Sequence, residues 1–497
     1  MLAIFLFAPY CYNEPMKRTE IKNILFNIVL TVGIVIGVGI FFKNNSIIAA
    51  AHGNPVIIIS AWVIGGVISI SSALAFSLLN MKSGDNDNNV SEFVKMSYGE
   101  KLGKKVKWSF MFIYYPIYLY VISIFTTKQL FDLFGYVNIS NIYPFTLFLV
   151  STFLVLVFIT FTYLAPKISR YTQISSTIIK LIPFILLTVI VIGGIFMNNP
   201  HSYWHSNGQT NLANGQFKGS YNQTTGMSDI GIIFWIIPAV KFAFDGFISV
   251  TGNKRATSVR SISIGITIGM TIVTVFYIIT TIALLQEGVT NVPDALVSFF
   301  GGNINHLSSG YLIVKKTIIA IIVISGLGSL NGMSIIWKRM VVQVVEDEKK
   351  DTKKNSMFLL IFSFLFATVP WLILSLILKD EVEVFDVVSD VALLIGFAIN
   401  ALILVKILYM QKKKEIKLSK IFIVFSVIAI LGIGATAGWK IIDGLIISQI
   451  KHGGEIGIFG WPKWTYILVF STVVIQFIFA HKVGEFIINK MTKNITK

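Results

Sequence analysis

Residues 31–42 read Thr-Val-Gly-Ile-Val-Ile-Gly-Val-Gly-Ile-Phe-Phe, and residues 238–247 read Pro-Ala-Val-Lys-Phe-Ala-Phe-Asp-Gly-Phe. Each stretch lies within an apolar run long enough to cross a bilayer. The first run is interrupted by Gly33, Gly37 and Gly39, the second by Pro238, Gly246 and then Gly252. Glycine is a poor helix former and lets backbone approach backbone, so both segments are candidates for unwinding. Bare backbone is tolerated at membrane depth only where it lines a cavity or binds something. A single such cluster would read as close helix packing. Two, at corresponding depth in two runs, read as a pair of broken helices.

The rest of the chain supports a membrane setting. Of 497 residues, 55% are apolar and only 13% charged, where a soluble domain carries about 25% charge. A span needs roughly 20 apolar residues, and such runs fall near 22–43, 55–79, 107–127, 142–164, 172–197, 230–253, 261–285, 312–337, 357–378, 387–409, 421–443 and 463–485. The formal net charge of +17 would suggest nucleic acid if position did not explain it. With the N-terminus placed inside, most of the 41 Lys and Arg residues fall in inside segments, among them Lys101, Lys104, Lys105 and Lys107, Lys349, Lys350, Lys353 and Lys354, and Lys412 to Lys414. That asymmetry is the positive-inside rule, and it leaves no basic surplus for nucleic acid. The single cysteine, Cys11, forms no intramolecular bridge.

Five runs cover 22–197 and five more cover 230–410, separated by a polar stretch, 198–229, that reads as an external linker. An odd number of spans makes the second half enter the membrane from the opposite side. Near-equal halves of inverted orientation are the mark of an alternating-access carrier. The expected fold is an all-α integral membrane protein of twelve transmembrane helices, a 5+5 inverted repeat with broken helices 1 and 6, plus two extra helices within 411–497. Residues 1–21 and the C-terminal end are expected to be cytoplasmic. Residues 1–15 precede a conventional start at Met16-Lys17-Arg18 and are expected to be an upstream extension. Residues 291–301 are expected to form a short external helix, and 444–462 a partly buried loop.

Several local patterns then resemble one family, the amino acid–polyamine–organocation permeases. Gly37-Val38-Gly39-Ile40-Phe41 is similar to the family's broken first helix. Phe242-Ala243-Phe244-Asp245-Gly246-Phe247 is similar to its broken sixth helix. Lys180-Leu181 resembles its fifth-helix Lys-Leu pair, and Leu330-Asn331-Gly332 with Arg339 resembles an eighth-helix pattern. The resemblance implies a site at the two breaks for the constant part of an amino acid. The N–H groups of Val38 and Gly39, beside Gly37, would take the carboxylate. The carbonyls of Val35, Phe242 and Ala243 would take the ammonium. Phe242 is a candidate outer gate, or a packing residue.

Three ionisable residues lie deep in the runs, where such groups are functional-site candidates. The resemblance puts the Lys180 ammonium where a sodium ion sits in sodium-coupled relatives, between helices 1 and 8. It is a candidate coupling residue that exchanges a proton, or a charged strut. Lys241 and Asp245, four apart, would share a helical face and pair. The alternative, implied by the resemblance to some members of the family, is an Asp245 that meets a cationic substrate side chain. The span 3 tyrosines (Tyr114, Tyr115, Tyr118 and Tyr120) are read mainly as packing or interfacial residues.

The six histidines show no ligand spacing, so no metal is assigned. No phosphate-binding glycine loop or catalytic constellation appears, so no cofactor and no enzyme activity are assigned. The expected function is a secondary active permease for an amino acid or related amine in a plasma membrane, proton-coupled or exchange-driven. The excess of Lys over Arg and the abundance of Ile and Asn suggest a bacterial source. The alternatives are an obligate antiporter, such as a glutamate/GABA-type exchanger, or a non-transporting amino-acid receptor. Expected partners are the small-molecule substrate, protons if the coupling is to them, and membrane lipid. No obligatory protein partner is indicated.

Overall fold

A computed structural model describes residues 18–36, 38–51, 53–82, 90–136, 144–194, 196, 229–250, 258–301, 309–347, 352–378, 381–416, 418–442 and 464–493. The segments 1–15 and 444–462, and the linker up to residue 228, lie outside them. The described elements are helices. In chain order they are α1 (Arg18–Val35), α2 (Val38–Ala50), α3 (Pro55–Lys82), α4 (Val90–Tyr98), α5 (Glu100–Ser109), a π turn (Phe110–Tyr114) and α6 (Tyr115–Leu133). They continue with α7 (Pro144–Leu164), α8 (Pro166–Gly194), α9 (Asp229–Ala243), α10 (Phe247–Val250), α11 (Val259–Glu287) and α12 (Val292–Gly301). The last are α13 (Ser309–Asp347), α14 (Thr352–Leu378), α15 (Glu381–Lys412), α16 (Lys420–Ile442) and α17 (Trp464–Lys493).

Among the described residues, eleven segments are long and apolar enough to cross a membrane. The sixth expected span is not among them. Its chain is divided between the 15 residues of α9 and the four of α10, because the helix stops at Ala243. The first expected span is divided too, between α1 and α2, with a bend at Ile36. The expected short helix at 291–301 is α12, where the Asn291 side chain accepts the Asp294 N–H at 3.0 Å, a common way to satisfy a free donor at a helix start.

The inside of the bundle is packed by bulky residues, with Trp62, Trp108, Trp337, Trp371, Tyr120 and Tyr277 fully buried. The outside is also apolar. Phe153 on α7, Ile178 and Ile185 on α8, Leu431 on α16 and Ile478 on α17 are all exposed. Side chains of this kind facing outward on long helices suit hydrocarbon as the surrounding solvent. At the centre, α11 packs against α1 and α3, α13 against α6 and α8, and α9 against α2 and α3. The two interrupted runs therefore sit inside a scaffold of continuous helices.

Candidate functional site

The chain leaves helical geometry at both breaks. After Val35, the Ile36 N–H still reaches back to Val32 O at 2.8 Å, and a new helix starts at Val38. The first N–H groups of α2 consequently have no acceptor within their own helix. After Ala243 the chain tightens. Phe244 N–H bonds Lys241 O at 3.1 Å, Asp245 N–H bonds Phe242 O at 3.2 Å, and Gly246 turns the chain at φ +98°. An L side chain rarely adopts that conformation, which accounts for a glycine there. The two breaks touch: a Cβ added to Gly39 would come within 2.9 Å of Ala243 Cα.

One side chain links them. The Tyr277 hydroxyl, reaching from α11, lies 3.0 Å from Val35 O and 2.8 Å from Ala243 O. A hydroxyl has a single hydrogen, so it shares that hydrogen between the two carbonyls. Trp62 and Phe244 pack on the Tyr277 ring, with centroids 5.3 and 5.0 Å away. Of the three carbonyls expected for a ligand ammonium, two thus face Tyr277, and that of Phe242 serves its own turn. Gly37 and the Val38 side chain lie outside the described residues.

Lys180, fully buried on α8, donates to Gly33 O at 2.6 Å and to Ile36 O at 2.7 Å. The break in the first run removes the amide donors those carbonyls would meet in a helix, and the ammonium replaces them. A polar stripe of α8 continues the contact. Gln173 Nε2 reaches Gly33 O at 3.4 Å, and Gln173 Oε1 accepts from Asn331 Nδ2 at 3.2 Å. Asn331 Nδ2 also donates to Ser169 O at 2.8 Å, while Ser169 Oγ donates to Asn331 Oδ1 at 2.7 Å. Lys180 therefore grips the first broken helix directly, and α8 reaches α13 through Gln173, Ser169 and Asn331.

Among the described residues the expected Lys241–Asp245 pair makes no direct ion-pair contact, although the two charges act favourably on one another. The helix ends at Ala243, so the four-residue spacing no longer puts the two side chains on one face. The Asp245 carboxylate instead accepts the Tyr114 hydroxyl at 2.5 Å. Lys241 Nζ donates to Ser69 Oγ at 3.1 Å and lies 4.8 Å from the centre of the Phe397 ring. Its stem borders a small cavity with Ile68, Leu394, Phe397, Ile433 and Thr436.

Sequence reasoning misses three residues here. Tyr277 sits in a run of β-branched residues and gives no local signal. Tyr114 reads, in sequence, as one of several packing tyrosines. Lys43 stands at the end of an expected span and reads as an ordinary boundary cation, yet it is fully buried and pairs with Asp390 at 3.1 Å. The Lys43 ammonium stands 4.8 Å over the Phe242 ring, which packs on Tyr118 with centroids 5.0 Å apart. Phe242 is buried between these groups.

Comparison with known proteins agrees with this architecture. Residues 27–475 match the family model described as amino acid permease. The serine/threonine exchanger SteT of Bacillus subtilis is 23% identical over 330 residues, 65% of this chain and 68% of that protein. An uncharacterized protein of Mycoplasma pneumoniae is 24% identical over 349 residues, 66% of this chain but only 60% of that one. With a match across nearly all of the described helices, the chain belongs to the amino acid permease family, within the APC superfamily.

Proposed function

We propose that this permease carries a small neutral amino acid across a plasma membrane by alternating access, exchanging it for a second amino acid. The observation that carries the reading is the Tyr277 hydroxyl set between Val35 O and Ala243 O. Those two carbonyls, from two different broken helices, converge on one hydrogen-bond donor. A substrate ammonium is a stronger donor for the same place, and its carboxylate suits the free N–H groups that start α2, including that of Gly39. Tyr277 holds the site closed until an ammonium displaces it.

Three further features fit. The printed activity of the Bacillus relative, serine/threonine exchange, favours small side chains and antiport. Lys180 holds carbonyls of the first break with a fixed cation, which supports a cycle independent of sodium. In that cycle Lys180 acts as the charged strut that holds the first break, and no proton is exchanged. The two halves, 22–197 and 230–410, lie in opposite orientations with both termini cytoplasmic, so the bundle rocks around the paired breaks.

Counterflow in proteoliposomes tests the reading. Labelled L-serine should enter vesicles preloaded with L-serine or L-threonine and stay out of empty ones, with little response to a pH gradient. Lys180→Ala should abolish the exchange. Uptake that needs a pH gradient and no internal amino acid would replace exchange by proton coupling. Absence of uptake for every amino acid under every gradient would overturn the transport reading.

A further inference from the structure

Asp245 is a buried carboxylate at the second break, one residue before the Gly246 turn. Left open, such a group invites a cation, because a buried anion without a partner is costly. The Tyr114 hydroxyl meets that demand at 2.5 Å, in the distance range of the stronger, charge-assisted hydrogen bonds. Two local features allow the tyrosine to arrive. The π turn Phe110–Tyr114 interrupts the regular winding between α5 and α6, and Tyr114 is its last residue. The Tyr114 ring also lies against Gly396 of α15, where an added Cβ would come within 2.7 Å of Cε2. The ring also stacks on Phe110 at 4.6 Å and lies parallel to Tyr118 at 6.3 Å, so it has little room to retreat along its own helix.

We infer that Gly396 is a specificity-determining position: the slot it leaves lets Tyr114 cap Asp245, so that the site refuses amino acids with cationic side chains. Gly396 is a positioning residue, since it acts through Tyr114. The inference rests on the proposed amino-acid site but not on the mode of transport. Adding a methyl at 396 pushes the phenol off the carboxylate. Removing the hydroxyl leaves the ring in place and the carboxylate with the Gly246 N–H and the nearby charge of Lys241 as its remaining partners. Either change turns Asp245 into a receptor for an ammonium or guanidinium.

Ligand-induced thermal shifts on the purified, detergent-solubilised full chain test this, with L-serine and L-lysine as probes, because a ligand that binds the folded state raises the melting point. The wild-type protein should bind L-serine and not L-lysine. Gly396→Ala and Tyr114→Phe should each raise the lysine-to-serine affinity ratio by about tenfold, roughly what one charge-assisted hydrogen bond supports. Gained lysine binding is a readout that mere loosening of the fold would not produce. The inference is overturned if Tyr114→Phe keeps the wild-type ratio, or if a Gly396→Ala protein that still binds L-serine does. It is likewise overturned if the wild-type protein already binds lysine, or binds neither probe. Binding with the expected ratios in a protein that fails to exchange would leave this inference standing and remove only the transport reading.

Discussion

A single hydroxyl occupies one carbonyl from each of the two breaks. Because Tyr277 donates to Val35 O and Ala243 O, an ammonium arriving at the proposed site would compete with the protein for its own acceptors. Tyr277→Phe removes the competitor while keeping the ring that packs on Trp62 and Phe244. A net buried hydrogen bond contributes about 1 kcal/mol, so the variant should bind L-serine several-fold more tightly, about 3- to 10-fold. It should also exchange more slowly, because release no longer has the hydroxyl to refill the carbonyls. Titration of binding beside initial exchange rates checks both halves of this expectation, and weaker binding with unchanged turnover would contradict it. None of this is legible locally. Lys180 and Asp245 stand out because ionisable residues deep in apolar runs are rare. Tyr277 and Tyr114 do not, because their partners lie on distant stretches, 242 and 34 residues away for Tyr277 and 131 for Tyr114.

At the scale of the element, the breaks are the most legible feature and their contacts the least. Glycines 33, 37 and 39, and Gly246 after Pro238, announce interrupted helices by composition alone. The stop at Ala243 cannot be placed to the residue from sequence, and a helix carried past it produces the expected Lys241–Asp245 pair. The π turn of Phe110–Tyr114 is hidden for a similar reason. It changes which residues of the following helix face the breaks, and a 3.6-residue period does not reveal it. Close approach of the two breaks rests on Gly39, since a Cβ there would meet Ala243 Cα at 2.9 Å. Gly39→Ala should therefore force the broken helices apart. Overpacking of this kind costs about 1–3 kcal/mol, small enough for the protein to insert and fold. Its exchange should nonetheless be lost, because the carbonyls of Val35 and Ala243 would no longer converge. A melting curve and a counterflow assay on the same preparation separate the two effects; full exchange with a lowered melting point would assign Gly39 to packing alone.

Across the whole molecule, the apolar runs and the distribution of charge make the helix positions readable, because a bilayer imposes one length and one polarity on every element that crosses it. Relative orientation of the halves is a different matter, since it depends on counting crossings. With the N-terminus inside, as proposed, an odd number of spans before the 198–229 linker would place that linker outside, and clusters such as Lys349, Lys350, Lys353 and Lys354 inside. If the halves entered from the same side, the two breaks would be related by a simple rotation, and rocking of the bundle would not exchange access between the two faces. Cys11, the one native cysteine, can be replaced by serine to give a silent background. In intact cells, a membrane-impermeant maleimide should then label a cysteine placed at Asn214. It should label one placed at Lys353 or Lys413 only after permeabilisation. Labelling of all three from the same face would break the inverted arrangement. It would also undercut the proposed site, in which the helix start at the first break takes a carboxylate and carbonyls of the two breaks take an ammonium.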